Sequence, residues 1–283
     1  MIENTPNLKE DPINEELNGK VAMVTGAGRF RGIGRSTAVA LAKLGASVAV
    51  LDLYKKLPVR APDEIKIGWN GITSLEKEIS QLGKSAMAIE CDVTNKKSVD
   101  NAVHQIIEKY RKIDILVNNA AYPNGPDRVE MSKLKLEIFQ KVMAVKVTGS
   151  FLCTQAVVKS MIQNKTGGKI ITIASGSGKK GFPKNHPYTA ACFAQVGMTQ
   201  SLAKELGPYG INVNCICPGP LHTARVDHSL SEIEWEKVWQ KLPLQKPGHE
   251  SDISSFISFL CSESASWITG QAINIDGGSI SEH

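Results

Sequence analysis

Two stretches of this 283-residue chain carry residue types and spacings that could do chemistry. The first is Thr25-Gly26-Ala27-Gly28-Arg29-Phe30-Arg31-Gly32-Ile33-Gly34, which follows a short apolar run and opens a helical pattern. Glycines between a strand and a helix let the backbone turn tightly and approach a pyrophosphate, while the free N–H groups and positive dipole of the helix end favour its charge. Asp52 ends the next apolar run, 18 residues beyond Gly34. A carboxylate there accepts hydrogen bonds from ribose hydroxyls and repels a 2′-phosphate, favouring NAD over NADP. Arg29, Lys55 and Lys56 keep the phosphorylated cofactor open as the alternative. The second stretch is Tyr188-Thr189-Ala190-Ala191-Cys192. Its phenol and thiol lie one helical turn apart, on one face. A thiol beside a lysine is a candidate nucleophile, but no His or Asn orienter for Cys192 is identifiable.

The elements that must position these residues alternate between strand and helix. Apolar runs at 20–25, 47–52, 86–92, 113–118, 169–174, 211–216 and 271–276 read as strands. Residues 35–44, 74–82 and 98–110 read as helices. Near-continuous apolar strands separated by helices predict an α/β fold, a doubly wound parallel sheet with helices on both faces. The length suits a single domain. We divide the chain into a flexible N-terminal arm, 1–18, and one Rossmann-type domain, 19–283.

Composition narrows the partners. The net charge is +5, without a long basic run or a basic-aromatic stripe, so no nucleic-acid partner is expected. No continuous apolar segment has the length of a membrane span, and the polar, acidic start lacks a signal-peptide core, so no membrane partner is expected. The six cysteines form no C-x-x-C pair; no metal site is expected, and free thiols fit a reducing, cytoplasmic setting. Cys215 and Cys217 share one face of their strand, which suits packing.

Motifs in order along 18–279 resemble the short-chain dehydrogenase/reductase family. They are the glycine loop, Cys91-Asp92-Val93, Asn118-Asn119-Ala120-Ala121, Tyr188 with Ser175 13 residues before it, Pro218-Gly219-Pro220-Leu221-His222-Thr223, Thr269-Gly270-Gln271 and Asp276-Gly277-Gly278. The resemblance implies a nicotinamide cofactor held by Gly26, Gly28, Arg29, Gly32, Ile33, Gly34, Asp52, Leu53, Asp92, Val93, Asn119, Ala120, Ala121, Tyr188, Pro218, Gly219, Leu221 and Thr223. It implies that Ser175 positions a substrate oxygen and Tyr188 exchanges a proton with it, in an oxidoreductase interconverting a secondary alcohol and a ketone. It also implies a homotetramer.

Four departures stand out. Five residues, where the family has three, separate Gly26 from Gly32, a two-residue insertion that could bring Arg29 or Arg31 to an anionic oxygen. Ala121 replaces a glycine. Cys192 occupies the position of the family's lysine, and Lys146, in Val145-Lys146-Val147-Thr148-Gly149, that of its asparagine. Because those two positions are neighbours in the family, we expect a swap, with Lys146 filling the volume left by Cys192. A unit charge about 5 Å from a phenolate contributes roughly 3 kcal/mol at an effective dielectric near 20, on the order of 10²-fold in a proton-transfer step. If Lys146 points elsewhere, two other readings lead: a cofactor-binding sensor or scaffold with little redox activity, or a non-redox lyase or isomerase on the same fold.

Two segments remain open. Residues 54–70 make a long connection that covers the adenine end of a cofactor, joins a subunit contact, or is a surface excursion. Residues 222–250 are expected to form a substrate lid. Trp235 and Trp239, at i and i+4, line a pocket or an interface, and Arg225 and His228 are expected to be solvated, with contact to a polar substrate as the alternative.

Overall fold

A computed structural model describes residues 15–53, 61–226 and 230–281. In chain order the elements are β1 (Val21–Thr25), α1 (Ile33–Lys43), β2 (Ser47–Asp52), α2 (Pro62–Lys66), α3 (Ile72–Gln81), β3 (Ala86–Glu90), α4 (Lys96–Tyr110), β4 (Ile115–Asn118), α5 (Leu136–Met143), α6 (Gly149–Asn164), β5 (Gly168–Ile173), α7 (His186–Leu206), β6 (Ile211–Pro218), α8 (Glu232–Gln240), α9 (Glu250–Cys261) and β7 (Ala272–Ile275). The strands form one seven-stranded sheet in the order β3-β2-β1-β4-β5-β6-β7. Every pairing is parallel.

Strand periodicity divides the core. Ala22 and Val24 of β1, with Val48 and Val50 of β2, face α1, α3 and α9. Val21, Met23, Ala49 and Leu51 face the opposite layer of α4, α6 and α7. Successive side chains of a strand point to opposite faces, so runs buried on both sides read as continuous apolar sequence. The strand order reverses direction between β1 and β4, and their carboxyl ends open the crevice where ligands bind in such sheets.

Residues 15–18, read as part of the arm, are folded: Leu17 is buried, its N–H donates to the Leu44 carbonyl, and Lys84 pairs with Glu15. The rest of that arm, together with Lys55, Lys56, Pro58 and His228, lies outside the described residues.

One long helical segment, 136–164, contains α5, a π turn at Ala144–Thr148, and α6. It is long and apolar enough to cross a membrane, which no continuous apolar run had suggested. Its Cys153, Val157 and Met161 are instead buried against the sheet.

Candidate active site

The glycine loop is built by close approach. A Cβ on Gly26, which has φ +66°, would come within 2.7 Å of the Ala120 Cα. On Gly34 it would come within 2.6 Å of both Asn119 Nδ2 and the Gly26 carbonyl oxygen. Asn119 fixes this geometry, its amide donating to the carbonyls of Thr25 and Gly26 at 3.0 and 2.8 Å. The Asn119 and Ala120 N–H groups both donate to Thr25 Oγ1. Asn119 thus braces the loop from β4. Helix α1 begins at Gly32 with no side-chain cap, leaving its first N–H groups for a ligand.

Asp52 anchors the same loop. Its carboxylate accepts the Gly28 N–H and its neighbour Leu53's N–H, both at 2.7 Å. Desolvation pushes this carboxyl above its ordinary value, opposed by those two hydrogen bonds and by Arg29, while Glu64 adds to the rise. Each oxygen keeps acceptor capacity, so the uncapped helix end, the glycine cradle and the carboxylate at the end of β2 fit a dinucleotide.

The inserted arginines are engaged with the protein. Arg29 pairs with Glu64 at 2.9 Å and Arg31 with Asp63 at 2.6 Å. Glu64 also accepts the Phe30 N–H at 2.8 Å. Both carboxylates belong to α2, inside the connection whose role the sequence left open. In that connection Trp69 is buried, donates its indole N–H to the Gly28 carbonyl at 2.7 Å, and packs against Phe30 at 5.2 Å. The insertion and residues 61–70 of the connection therefore pack on each other. Across the cleft, the Ala224 N–H donates to the Arg31 carbonyl at 2.9 Å, joining this unit to the loop after β6.

The remaining residues expected to hold the cofactor lie along the same carboxyl edge. Asp92 accepts from Thr94 N and Oγ1, and Val93 is buried where a Cβ on Gly149 would meet it at 2.7 Å. The Gly219 N–H donates to the Ile275 carbonyl, and a Cβ there would meet the Asp276 Cα at 2.5 Å. Leu221 bridges to Gly248, and the Thr223 N–H turns back onto the Leu221 carbonyl. A cavity of about 200 Å³ lies beside Gly219–Leu221, closed by Leu242 and Ile275. A second recess, about 720 Å³, opens at the opposite edge of the sheet, around Asp114, Lys165 and Asn212, away from the glycine loop and Tyr188.

The reactive end centres on Tyr188 in α7. It belongs to a buried cluster with Val142, Ala174, Ala191, Cys192, Cys215 and Cys217. Ser175 follows Ala174 at the end of β5, and its hydroxyl accepts the Ser177 N–H at 3.2 Å. Lys146 is fully buried, its ammonium 5.1 Å from the Tyr188 ring centre. That ammonium donates to the Ile173 carbonyl at 3.0 Å. The π turn carries Lys146, a local slip in the helical ladder of the kind often found at functional positions. The Lys146 carbonyl accepts Ser150 Oγ at 2.7 Å and Gln195 Nε2 at 2.8 Å.

Cys192 is not placed as a nucleophile. It is fully buried, and desolvation pushes its thiol above the ordinary value, with Lys146 and Arg225 only partly opposing this. The protonated thiol is the unreactive form. The other cysteines are likewise buried. Burial takes Cys91 to about 11 and raises Cys153 further.

Sequence reasoning overlooked two residues and misread a third. Arg128, in the loop after β4, lies 5.0 Å from the Tyr188 ring centre. Beside it Asp127 is buried. Arg225, expected to be solvated, stands 4.6 Å from the same ring and donates from Nε to the Tyr122 carbonyl at 3.0 Å. An Asp-Arg pair just beyond the fourth strand was the available signal for the first two; no local pattern marked Arg225. Trp235 is buried within the chain, stacked on His222 at 5.0 Å and on Trp239 at 6.0 Å. Among the described residues, no group of His, Cys, Asp or Glu is arranged to hold a metal ion.

Comparison with known proteins identifies the family. A family model described as Enoyl-(Acyl carrier protein) reductase matches residues 26–279. A 3-oxoacyl-[acyl-carrier-protein] reductase from a Synechocystis species is 36% identical over 93% of this chain and 98% of its own length. The chain belongs to the short-chain dehydrogenase/reductase family. Another member, a cyclohexanol dehydrogenase from a Rhodococcus species, is 36% identical over 94% of this chain and 97% of its own. A solved structure described as a blue fluorescent protein from a metagenomic library, in complex with NADPH, superposes with a TM-score of 0.79 at 30% identity, over 94% of this chain and all of that one. Short-chain dehydrogenase/reductases bind a nicotinamide cofactor and act on small molecules, and this chain is an oxidoreductase of that family.

Proposed function

We propose that this protein interconverts a secondary alcohol and a ketone with NAD(H), using Tyr188 as the proton-transfer residue. The observation that carries the reading is the Lys146 ammonium 5.1 Å from the Tyr188 ring centre, with buried Cys192 one helical turn beyond Tyr188, where the resemblance implies a lysine. When bound, the nicotinamide supplies or accepts the hydride. The chain's own residues manage the oxygen: Ser175 Oγ donates to it and orients it, and Tyr188 Oη gives it a proton in reduction or takes one in oxidation. Lys146 supplies a positive charge beside the Tyr188 ring, the part the resemblance gives to the missing lysine. Its ammonium is held by the Ile173 carbonyl, and its position along the helix by Ser150 and Gln195.

Asp52 supports NAD over NADP. Buried Glu64 adds a second carboxylate close enough to raise Asp52 and neutralises Arg29, the residue best placed to welcome a 2′-phosphate. Exposed Phe151 on α6 and Phe193 on α7 are compatible with a homotetramer assembled through those helices. Six buried cysteines suit a cytoplasmic setting.

The test is turnover of NAD and NADP with a panel of secondary alcohols, and of NADH with the matching ketones, for the native protein and Tyr188→Phe. The expected result is NAD-linked turnover that Tyr188→Phe lowers by about 10²- to 10⁴-fold. Tight NADH binding with no turnover in either direction would instead make the protein a cofactor-binding sensor or scaffold.

A further inference from the structure

We propose that the substrate is a hydroxy or oxo acid whose carboxylate is held by Arg128 and Arg225, within a few bonds of the carbon that Tyr188 serves. This deepens the oxidoreductase reading and rests on it. The two guanidinium groups come from different loops, after β4 and after β6, and converge on one ring, at 5.0 and 4.6 Å from its centre. Lys146 adds a third cation at 5.1 Å.

Among the described residues, the ion pair found for these three cations is with Asp127, 3.8 Å from Arg128 Nε. Lys146 donates to a backbone carbonyl, Arg225 Nε to another, and Arg128 Nε to Asn124 Oδ1 at 2.8 Å. Arg225 Nη2 is buried and has no hydrogen-bond partner among the described residues. Burial lowers the proton affinity of Arg128, and Arg225 lowers it further, against the opposing effect of Asp127. Two guanidiniums that repel each other above a reactive phenol are satisfied by an anion that arrives with the ligand.

Stacking on Tyr188 does not account for the arrangement. A cation–π contact is weak and gives no acceptor to a buried N–H. A carboxylate gives two, in the planar geometry that guanidinium matches.

The experiment compares acids with their amides, which differ in charge but hardly in shape. Linear 2- and 3-hydroxy acids of three to eight carbons, and the corresponding hydroxy amides, are assayed at fixed ionic strength with NAD. The expected result is kcat/KM at least 10²-fold higher for the best acid than for its amide, a ratio that Arg225→Gln and Arg128→Gln each reduce at least tenfold, chiefly through KM. Arg225→Lys, which keeps charge without the fork, should fall between. Amides equal to acids, or a loss shared equally by both in the variants, would overturn the proposal. Turnover of neutral alcohols but of no acid would also overturn it while leaving the oxidoreductase reading intact. If nothing is turned over, that reading fails, and binding decides the anion site alone: acetoacetate should change the fluorescence of the protein–NADH complex, and Arg225→Gln should abolish the change. Absence of any response to acetoacetate in the native complex would overturn the site.

Discussion

The glycine loop and the Tyr188 pocket lie along the same edge of one sheet, yet they handle positive charge in opposite ways. Around the loop each arginine has its own carboxylate: Arg29 with Glu64, Arg31 with Asp63, and Arg35 with Glu78 through two bonds of 2.6 and 2.8 Å. Around Tyr188, Lys146, Arg128 and Arg225 have Asp127 among them, at the long distance of 3.8 Å. The first region balances its charge internally and is built to hold a shape. The second carries excess positive charge at the point where a phenolate and a bound anion would supply the negative. Leaving charges poorly paired in a half-buried site costs stability, a cost proteins tolerate at functional positions.

This contrast can be broken from either side. Tyr188→Phe should have the largest effect, a loss of about 10²- to 10⁴-fold in turnover with NADH binding retained, measured by steady-state kinetics beside a fluorescence titration. Gly34→Val should come next. Its side chain meets Asn119 Nδ2 and the Gly26 carbonyl at 2.6 Å, neither of which can move without unbracing the loop. Calorimetry should show NADH affinity lowered at least tenfold, and a thermal melt should show destabilisation of about 1–3 kcal/mol.

Glu64→Gln is smaller and sharpens the comparison. It leaves Arg29 unpaired beside a loop that Glu64 also holds through the Phe30 N–H. A loss of about 1–3 kcal/mol is expected, read as a fall of several degrees in Tm. NADPH should gain on NADH severalfold as Arg29 is released, a change a purely structural pair would not produce. The smallest effect should come from thiol reagents. Burial raises Cys192 above the ordinary thiol value and Cys91 to about 11, so at pH 8 both stay protonated. Iodoacetamide at pH 8 should leave activity and intact mass unchanged over an hour.

Much of the framework could be read directly from the chain. The seven strands fall within a few residues of the apolar runs, because strands buried on both faces need continuous apolar sequence. Glycines with no room for a Cβ marked the loop. What could not be read depended on contacts between distant residues. Nothing local in 54–70 indicated that Trp69 would donate to Gly28 or that α2 would supply carboxylates to the insertion. The π turn left no mark either, since Val145-Lys146-Val147 reads as ordinary helix. Arg128 and Arg225 converge only once the loops after β4 and β6 are folded onto α7. Lys146 differs in that the sequence singled it out, and the fold brings its ammonium within 5.1 Å of the Tyr188 ring centre.

The most direct test of the central claim is kcat/KM for Lys146→Met, with NADH affinity measured on the same protein. Methionine keeps the length and apolar bulk of the buried side chain, so the fold and cofactor binding should persist. If Lys146 supplies the charge that Tyr188 needs, kcat/KM falls on the order of 10²-fold while NADH affinity changes by no more than about threefold. Unchanged turnover with an unchanged pH profile would contradict the account and leave Lys146 a structural residue.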